Sequence, residues 1–379
     1  MPGTQPSGVR DAFSANYAQA REKFLAASTA AGLALHSYLH PLRGRDGEAL
    51  AIDVALAGSP DAQRMLIVSS GCHGVEGYCG SGIQVHALRD THWHRLTTSH
   101  DVAVLYVHAL NPYGFSFGRR WTHENIDLNR NFHDFAKPLP VNRAYRELQH
   151  LLVPDEWPPS PANVAAMTQF HSQRGLSALQ AAVTQGQHEF AQGLFYGGVA
   201  PSWSNLTFRS ILRSHAGRAR QIAWIDVHTG LGRPGWGERG FAGRDDDAAA
   251  LARARAWWDG GGKTPITVLY DGSSISSPMT GLLWTALDDE CPQAERTSMA
   301  LEFGTRPMLQ VLDALRAEQW LFGHPDAPAT LAARIKQDLR DAFYVDDDEW
   351  KLQVVRQAHQ ALEQAVAGLA GAPSAAVTG

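Results

Sequence analysis

His73 and Glu76 stand three residues apart in His73-Gly74-Val75-Glu76, just after the apolar run Met65-Leu66-Ile67-Val68 breaks into Ser69-Ser70-Gly71-Cys72. Imidazole and carboxylate both ligate zinc, and a catalytic zinc needs one more protein ligand plus an open position. His228 is the candidate third ligand: it ends the run Trp224-Ile225-Asp226-Val227 and is followed at once by Thr229-Gly230. It lies 228 − 76 = 152 residues beyond Glu76, so a sheet must bring such a site together. A buried structural histidine is the alternative, and among 17 histidines position has to decide.

Two further groups carry chemistry. In Ile126-Asp127-Leu128-Asn129-Arg130-Asn131, Asn129 and Arg130 offer an amide and a planar guanidinium fork suited to a carboxylate. Asp127 is placed to accept a hydrogen bond from a ligating imidazole and so fix its tautomer. Asn and Asp also favour turns for backbone reasons alone. Glu302, in Met299-Ala300-Leu301-Glu302-Phe303, is a lone carboxylate in an apolar run, costly unless paired or functional. Beside a metal-bound water it would act as general base and then as proton donor.

The elements that must position these residues are strands. Candidates recur at Leu50-Ala57, Met65-Ser69, Val102-His108, Ile222-Val227, Ile266-Tyr270 and Ser298-Phe303, several of them continuously apolar, as in sheets covered on both faces. The spacing predicts a helix over Val9–Ala31, another over Ser81–Arg89 and an amphipathic one over Asp348–Leu369. This alternation predicts an α/β sandwich with a mostly parallel or mixed sheet. Asn111-Pro112-Tyr113-Gly114 predicts a tight turn. The stretch Lys137–Pro161 is rich in proline and loops, and candidate site residues lie on both sides of it. One domain over 1–379 is therefore expected, with 137–220 an excursion inside it and 370–379 a disordered tail.

Bulk properties narrow the classes. At 379 residues, 44% hydrophobic and 19% charged, the chain has the composition of a globular protein with a large core. A net charge of -5 without a Lys/Arg cluster argues against nucleic acid, and no apolar stretch approaches the ~18 residues of a membrane span. The N-terminus lacks the pattern of a signal peptide. Three cysteines (Cys72, Cys79, Cys291) make no disulfide framework, which points to a reducing cytoplasm. Cys72 and His73, as neighbours on an extended segment, point to opposite faces, so Cys72 is expected to be a buried thiol rather than a ligand.

The ordered set resembles the zinc carboxypeptidases of the carboxypeptidase A type over about Ser69 to Thr305. That resemblance implies a three-layer α/β/α sandwich with a mixed, mostly parallel central sheet. It also implies one Zn2+ on His73, Glu76 and His228, with Glu302 as base and Asn129-Arg130 on the substrate's terminal carboxylate. It implies an arginine that polarises the scissile carbonyl, matched by Arg120 with Arg119 as the alternative, and a mobile tyrosine over the substrate, for which Tyr270 is the candidate. The turn at Asn111-Pro112-Tyr113-Gly114-Phe115 is similar to the family's Asn-Pro-Asp-Gly, with Tyr113 in place of the aspartate. Closer still is a bacterial branch known only as a domain of unknown function, which Gly193-Leu194-Phe195-Tyr196-Gly197-Gly198 and Asp226-Val227-His228-Thr229-Gly230-Leu231-Gly232 resemble.

The expected activity is zinc-dependent hydrolysis of an amide next to a free carboxylate, as in a metallocarboxypeptidase acting on a small peptide. The related succinylglutamate desuccinylases and aspartoacylases share a similar Asp-Leu-Asn-Arg segment, which makes an N-acyl amino acid deacylase the alternative. A non-catalytic carboxylate-binding module is the third reading, and the presence of Glu302 with all three ligand candidates weighs against it.

Overall fold

The computed structural model describes residues 6–371. Eight strands among them hydrogen-bond into one sheet: β1 (Ala34–Arg43), β2 (Ala49–Ala57), β3 (Arg64–Ser69), β4 (Ala103–His108), β5 (Gln221–Pro234), β6 (Gly237–Phe241), β7 (Ile266–Thr267) and β8 (Glu295–Gly304). Their spatial order is β1-β2-β4-β3-β5-β8-β6-β7. The four central strands β4, β3, β5 and β8 run parallel, while β1, β2 and β6 pair antiparallel at the flanks.

Burial on both faces explains why the central strands read as apolar runs. Leu66 and Val68 of β3, with Ala223 and Ile225 of β5, belong to a core shared with the helices Tyr17–Ala30, Gly77–Arg89, Ala248–Trp258 and Asp348–Leu369. Met65 and Ile67, with Ile222 and Trp224, face the opposite way, into a second core completed by the helices Trp203–Ile211 and Thr285–Glu290. Alternate side chains of one strand thus enter two different cores, and the result is a three-layer α/β/α sandwich around a mixed, mostly parallel sheet.

Several elements depart from the sequence pattern for local reasons. The helix expected over Val9–Ala31 is two helices, Pro6–Ala12 and Tyr17–Ala30. Asn16 restarts the second by accepting the Gln19 amide at 2.9 Å, a capping role that competes with helix continuation. β1 and β6 carry no continuous apolar run. The expected strand Ile266–Tyr270 is shorter, only Ile266–Thr267. Asn111 does not open a simple turn but caps a short helix, Pro112–Ser116, by accepting the Gly114 amide at 2.9 Å. Within the proline-rich stretch a helix, Arg143–Leu152, forms behind an Asn142 cap and stops before Pro154. The C-terminal helix spans Asp348–Leu369, and residues 372–379 of the expected tail lie outside the described residues.

Candidate metal centre and cleft

The order in which successive strands are added to the sheet reverses between the parallel strands β3 and β5: β3 leads to β4 on one side, and β5 and β8 follow on the other. Crevices at such a point, beyond the carboxyl ends of parallel strands, are where open α/β sheets bind ligands. His73 and Glu76 follow β3 there; His228 lies midway along β5, two residues beyond its last pair with β3, and Glu302 stands opposite it two residues before the end of β8.

The exit of β3 is tightly built. Leu110 and Asn111 donate to the carbonyls of Ser70 and Gly71 at 3.0 and 2.8 Å, holding the ends of β3 and β4 side by side. Gly74 and Val75 then donate to the carbonyls of Arg120 and Arg119 at 3.1 and 2.8 Å, so the two segments lie backbone to backbone. A Cβ at Gly74 would collide with the backbone of Gly114 and Phe115. Residues Gly74–Glu76 form a 3₁₀ turn that runs into the helix Gly77–Arg89. Gly80 lets that helix approach the sheet, because a Cβ there would sit 2.6 Å from the Ser70 Cβ.

His73, Glu76 and His228 are all buried, and one ligand atom from each lies within 4.8 Å of the others. Glu76 is central: its Oε1 is 2.8 Å from His73 Nδ1 and its Oε2 is 3.0 Å from His228 Nδ1. The outward nitrogens of both rings face carboxylates, His73 Nε2 at 3.0 Å from Asp127 Oδ1 and His228 Nε2 at 2.7 Å from Asp226 Oδ2. Giving its Nε2 hydrogen to Asp226 keeps the His228 Nδ1 lone pair free to bind an ion, whereas His73 Nε2 lies between Asp127 and Arg120 NH2, the latter at 2.8 Å. His73 Nδ1 is a buried polar atom with no hydrogen bond, since its approach to Glu76 lacks the angle for one. Zinc–nitrogen and zinc–oxygen bonds of about 2.1 Å would span these gaps, so the donor set fits such an ion. Cys72, Asp226 and His228 also cluster, yet His228 Nε2 is already committed to Asp226. Burial, then the charge of Asp226, pushes the Cys72 thiol up, away from thiolate.

Electrostatics follow from this packing. Burial alone would raise the Glu76 carboxyl, but the charges and bonds of His73 and His228, with Arg120, hold it well below the usual range. Asp127 is likewise held down, against burial, by Arg120 and His73. Burial opposes charge on His228, yet Asp226 and Glu76 outweigh it and raise the imidazole well above its ordinary value. Glu302 goes the other way. Desolvation and the nearby Glu76 charge push it up to about 8, although the Leu231 amide, at 2.9 Å, donates to its Oε1.

The remaining candidates divide. Arg120 enters the centre, with NH1 2.7 Å from Glu76 Oε1 and Nε 3.3 Å from Asp127 Oδ2. Arg119 turns away to Glu318 Oε1 at 2.7 Å and Asn125 Oδ1 at 2.9 Å. Asn129 and Arg130 line the cleft. Asn129 Oδ1 accepts the Leu283 amide at 2.8 Å, which leaves its NH2 without a hydrogen bond among the described residues. Arg130 spends Nε and NH2 on the Thr184 carbonyl at 2.8 and 2.6 Å, capping the helix Leu176–Thr184, and NH1 on the Asn129 carbonyl at 2.7 Å. Two of its five N–H groups remain. Tyr270 is 42% exposed and does not line the cleft. Asp226 is the residue that motif reasoning passed over. Its signal was in the sequence, because a residue two before His228 on a strand must share its face.

A family model described as "Protein of unknown function (DUF2817)" matches residues 13–357. Comparison with curated proteins gives no match. Solved structures similar to this chain include bovine thrombin-activatable fibrinolysis inhibitor in complex with tick carboxypeptidase inhibitor, 10% identical, with a TM-score of 0.48 over 94% of this chain and 97% of that one. Carboxypeptidase A from Helicoverpa armigera is 10% identical, with a TM-score of 0.44 over 86% of this chain and 73% of that one. The murein-tripeptide amidase MpaA from Escherichia coli O157 is 16% identical, with a TM-score of 0.35 over 80% and 91%.

Proposed function

The chain belongs to this family of unknown function, and we propose that it is a zinc-dependent hydrolase that cleaves an amide bond next to a free carboxylate, as a metallocarboxypeptidase does. One observation carries the reading. His73 Nδ1, the Glu76 carboxylate and His228 Nδ1 converge while Asp127 and Asp226 hold the far ring nitrogens, and Glu302 stands beside His228 on the next strand. When bound there, zinc would supply an acidified water and a Lewis acid for the carbonyl.

The side chains divide the remaining work. Glu302 takes the proton of the attacking water on its carboxylate and returns it to the departing amine. Arg120 brings a guanidinium to the centre, where it steadies the charge that grows on the carbonyl oxygen. The free amide of Asn129 and the two remaining N–H groups of Arg130 hold the substrate carboxylate, fixing the scissile carbon against the water.

The test is a panel of C-terminally free peptides and N-acyl amino acids given to zinc-loaded protein. Release of single C-terminal residues supports the peptidase; cleavage confined to N-acyl amino acids makes the chain a deacylase. Glu302→Gln should retain zinc while kcat falls about 10²–10⁴-fold. His228→Ala should lose stoichiometric zinc by elemental analysis, and retention would remove His228 from the ligand set.

A further inference from the structure

Glu238 is a cleft carboxylate with no cation to balance it. On β6 it stands directly opposite Glu302 of β8, and His228 of β5 stands opposite Glu302 on the other side. Residues in register on neighbouring strands share a face, so the three side chains form one row across the floor of the cleft. Glu238 is 8% exposed and forms no ion pair among the described residues. Its polar contacts are neutral donors, Thr267 Oγ1 at 2.7 Å and the Ile275 amide at 2.9 Å, and both fall on Oε1. Oε2 has no hydrogen-bond partner among the described residues and faces the cleft, where an incoming ligand can meet it.

The next row is small: Asp226, Ala300 and Gly240 stand opposite one another on the same three strands. A Cβ added at Gly240 would meet nothing nearer than the Ala300 carbonyl at 3.7 Å, so a hollow lies beside Glu238. Leu269, Met279 and Trp284 line the cleft nearby. Apolar walls beside the Glu238 carboxylate suit an aliphatic stem that carries a positive end. Neighbouring strands are about 4.8 Å apart, so a lysine-length stem lying beside Glu302 reaches Glu238.

We propose that Glu238 sets substrate specificity by holding the cationic end, ammonium or guanidinium, of a side chain next to the scissile amide. This rests on the hydrolase reading above. Zinc-loaded protein is given N-acetyl-lysine against N-acetyl-norleucine, and blocked dipeptides ending in lysine against norleucine. The wild type should favour the lysine member of each pair in kcat/KM, chiefly through KM. In Glu238→Gln, which still accepts from Thr267 and Ile275, that preference should shrink about thirtyfold or more. Equal rates on both members in the wild type, or a preference untouched in the variant, would overturn the proposal. Cleavage of nothing in the panel would defeat the hydrolase reading alone. Calorimetric titration with free lysine and norleucine then decides Glu238: lysine binding that weakens in the variant keeps it, and equal or absent binding removes it.

Discussion

At the scale of single residues, the centre depends on which nitrogen of each imidazole carries the hydrogen. Asp226 fixes this for His228, and it is itself fixed: Trp224 Nε1 donates to Ser69 Oγ at 2.7 Å, and Ser69 donates to Asp226 Oδ1 at 2.5 Å. Asp226→Asn removes the charge but little volume, so the ring is held less firmly in the metal-binding tautomer. Zinc affinity should fall about 10–100-fold, read by competition with a chromogenic chelator; unchanged affinity would mean that Asp226 does not orient the ring. Much of this centre was legible as residue type at strand ends, because a histidine or glutamate that closes an apolar run has few bland explanations. What was not legible is side-chain direction. Arg119 and Arg120 are adjacent and alike in sequence, yet one serves Glu318 and the other Glu76. Tyr270 matched an expected role by position, but β7 ends before it and leaves it exposed.

At the scale of elements, the junction between the β3 exit and the Arg119–Arg120 segment does the positioning. Each holds the other through two backbone hydrogen bonds, and the glycine at 74 makes that approach possible. Gly74→Ala puts a methyl group into the Gly114 backbone, so the segments must part. Urea unfolding should show a loss of about 1–3 kcal/mol, with reduced zinc content because His73, Glu76 and Arg120 move together. Unchanged stability and zinc content would show that the junction yields freely. The same contrast explains which strands could be read from the chain. β2, β3, β4, β5 and β8 bury nearly every side chain in their central portions, and burial writes itself as apolar runs. β1 is an edge strand exposed along most of its length, and β6 is Gly237-Glu238-Arg239-Gly240-Phe241, two of whose members are charged. Neither has a periodicity to detect, and β6 brings the carboxylate that bears on specificity.

At the scale of the whole molecule, buried histidines tie stability to pH. His108 at the end of β4 is fully buried, stacked on Phe24 at 4.5 Å and bonded through Nε2 to Ser81 Oγ at 2.9 Å. Burial lowers its pKa to about 4 from an ordinary 6.5. Between those values the unfolded chain holds a proton that the folded chain does not, so stability is complete above pH 6.5 and drains as pH falls toward 4. From pH 7 to pH 5 this one ring should cost about 2 kcal/mol. Urea unfolding of His108→Leu should show a shallower loss over the same interval, whatever its stability at pH 7; an unchanged slope would exclude His108 as the cause.

The pairing of β3 with β5 also has a consequence in time. Neighbours in the sheet, they are far apart in the order of synthesis, with Glu76 emerging 152 residues ahead of His228. A nascent chain that stops short of β5 offers two candidate side chains without the third, and two cannot compete for an ion as three fixed ones do. On the proposed ligand set, loading therefore waits for the middle of the sheet to close, and ion capture would mark the moment when the two halves of the chain have found each other.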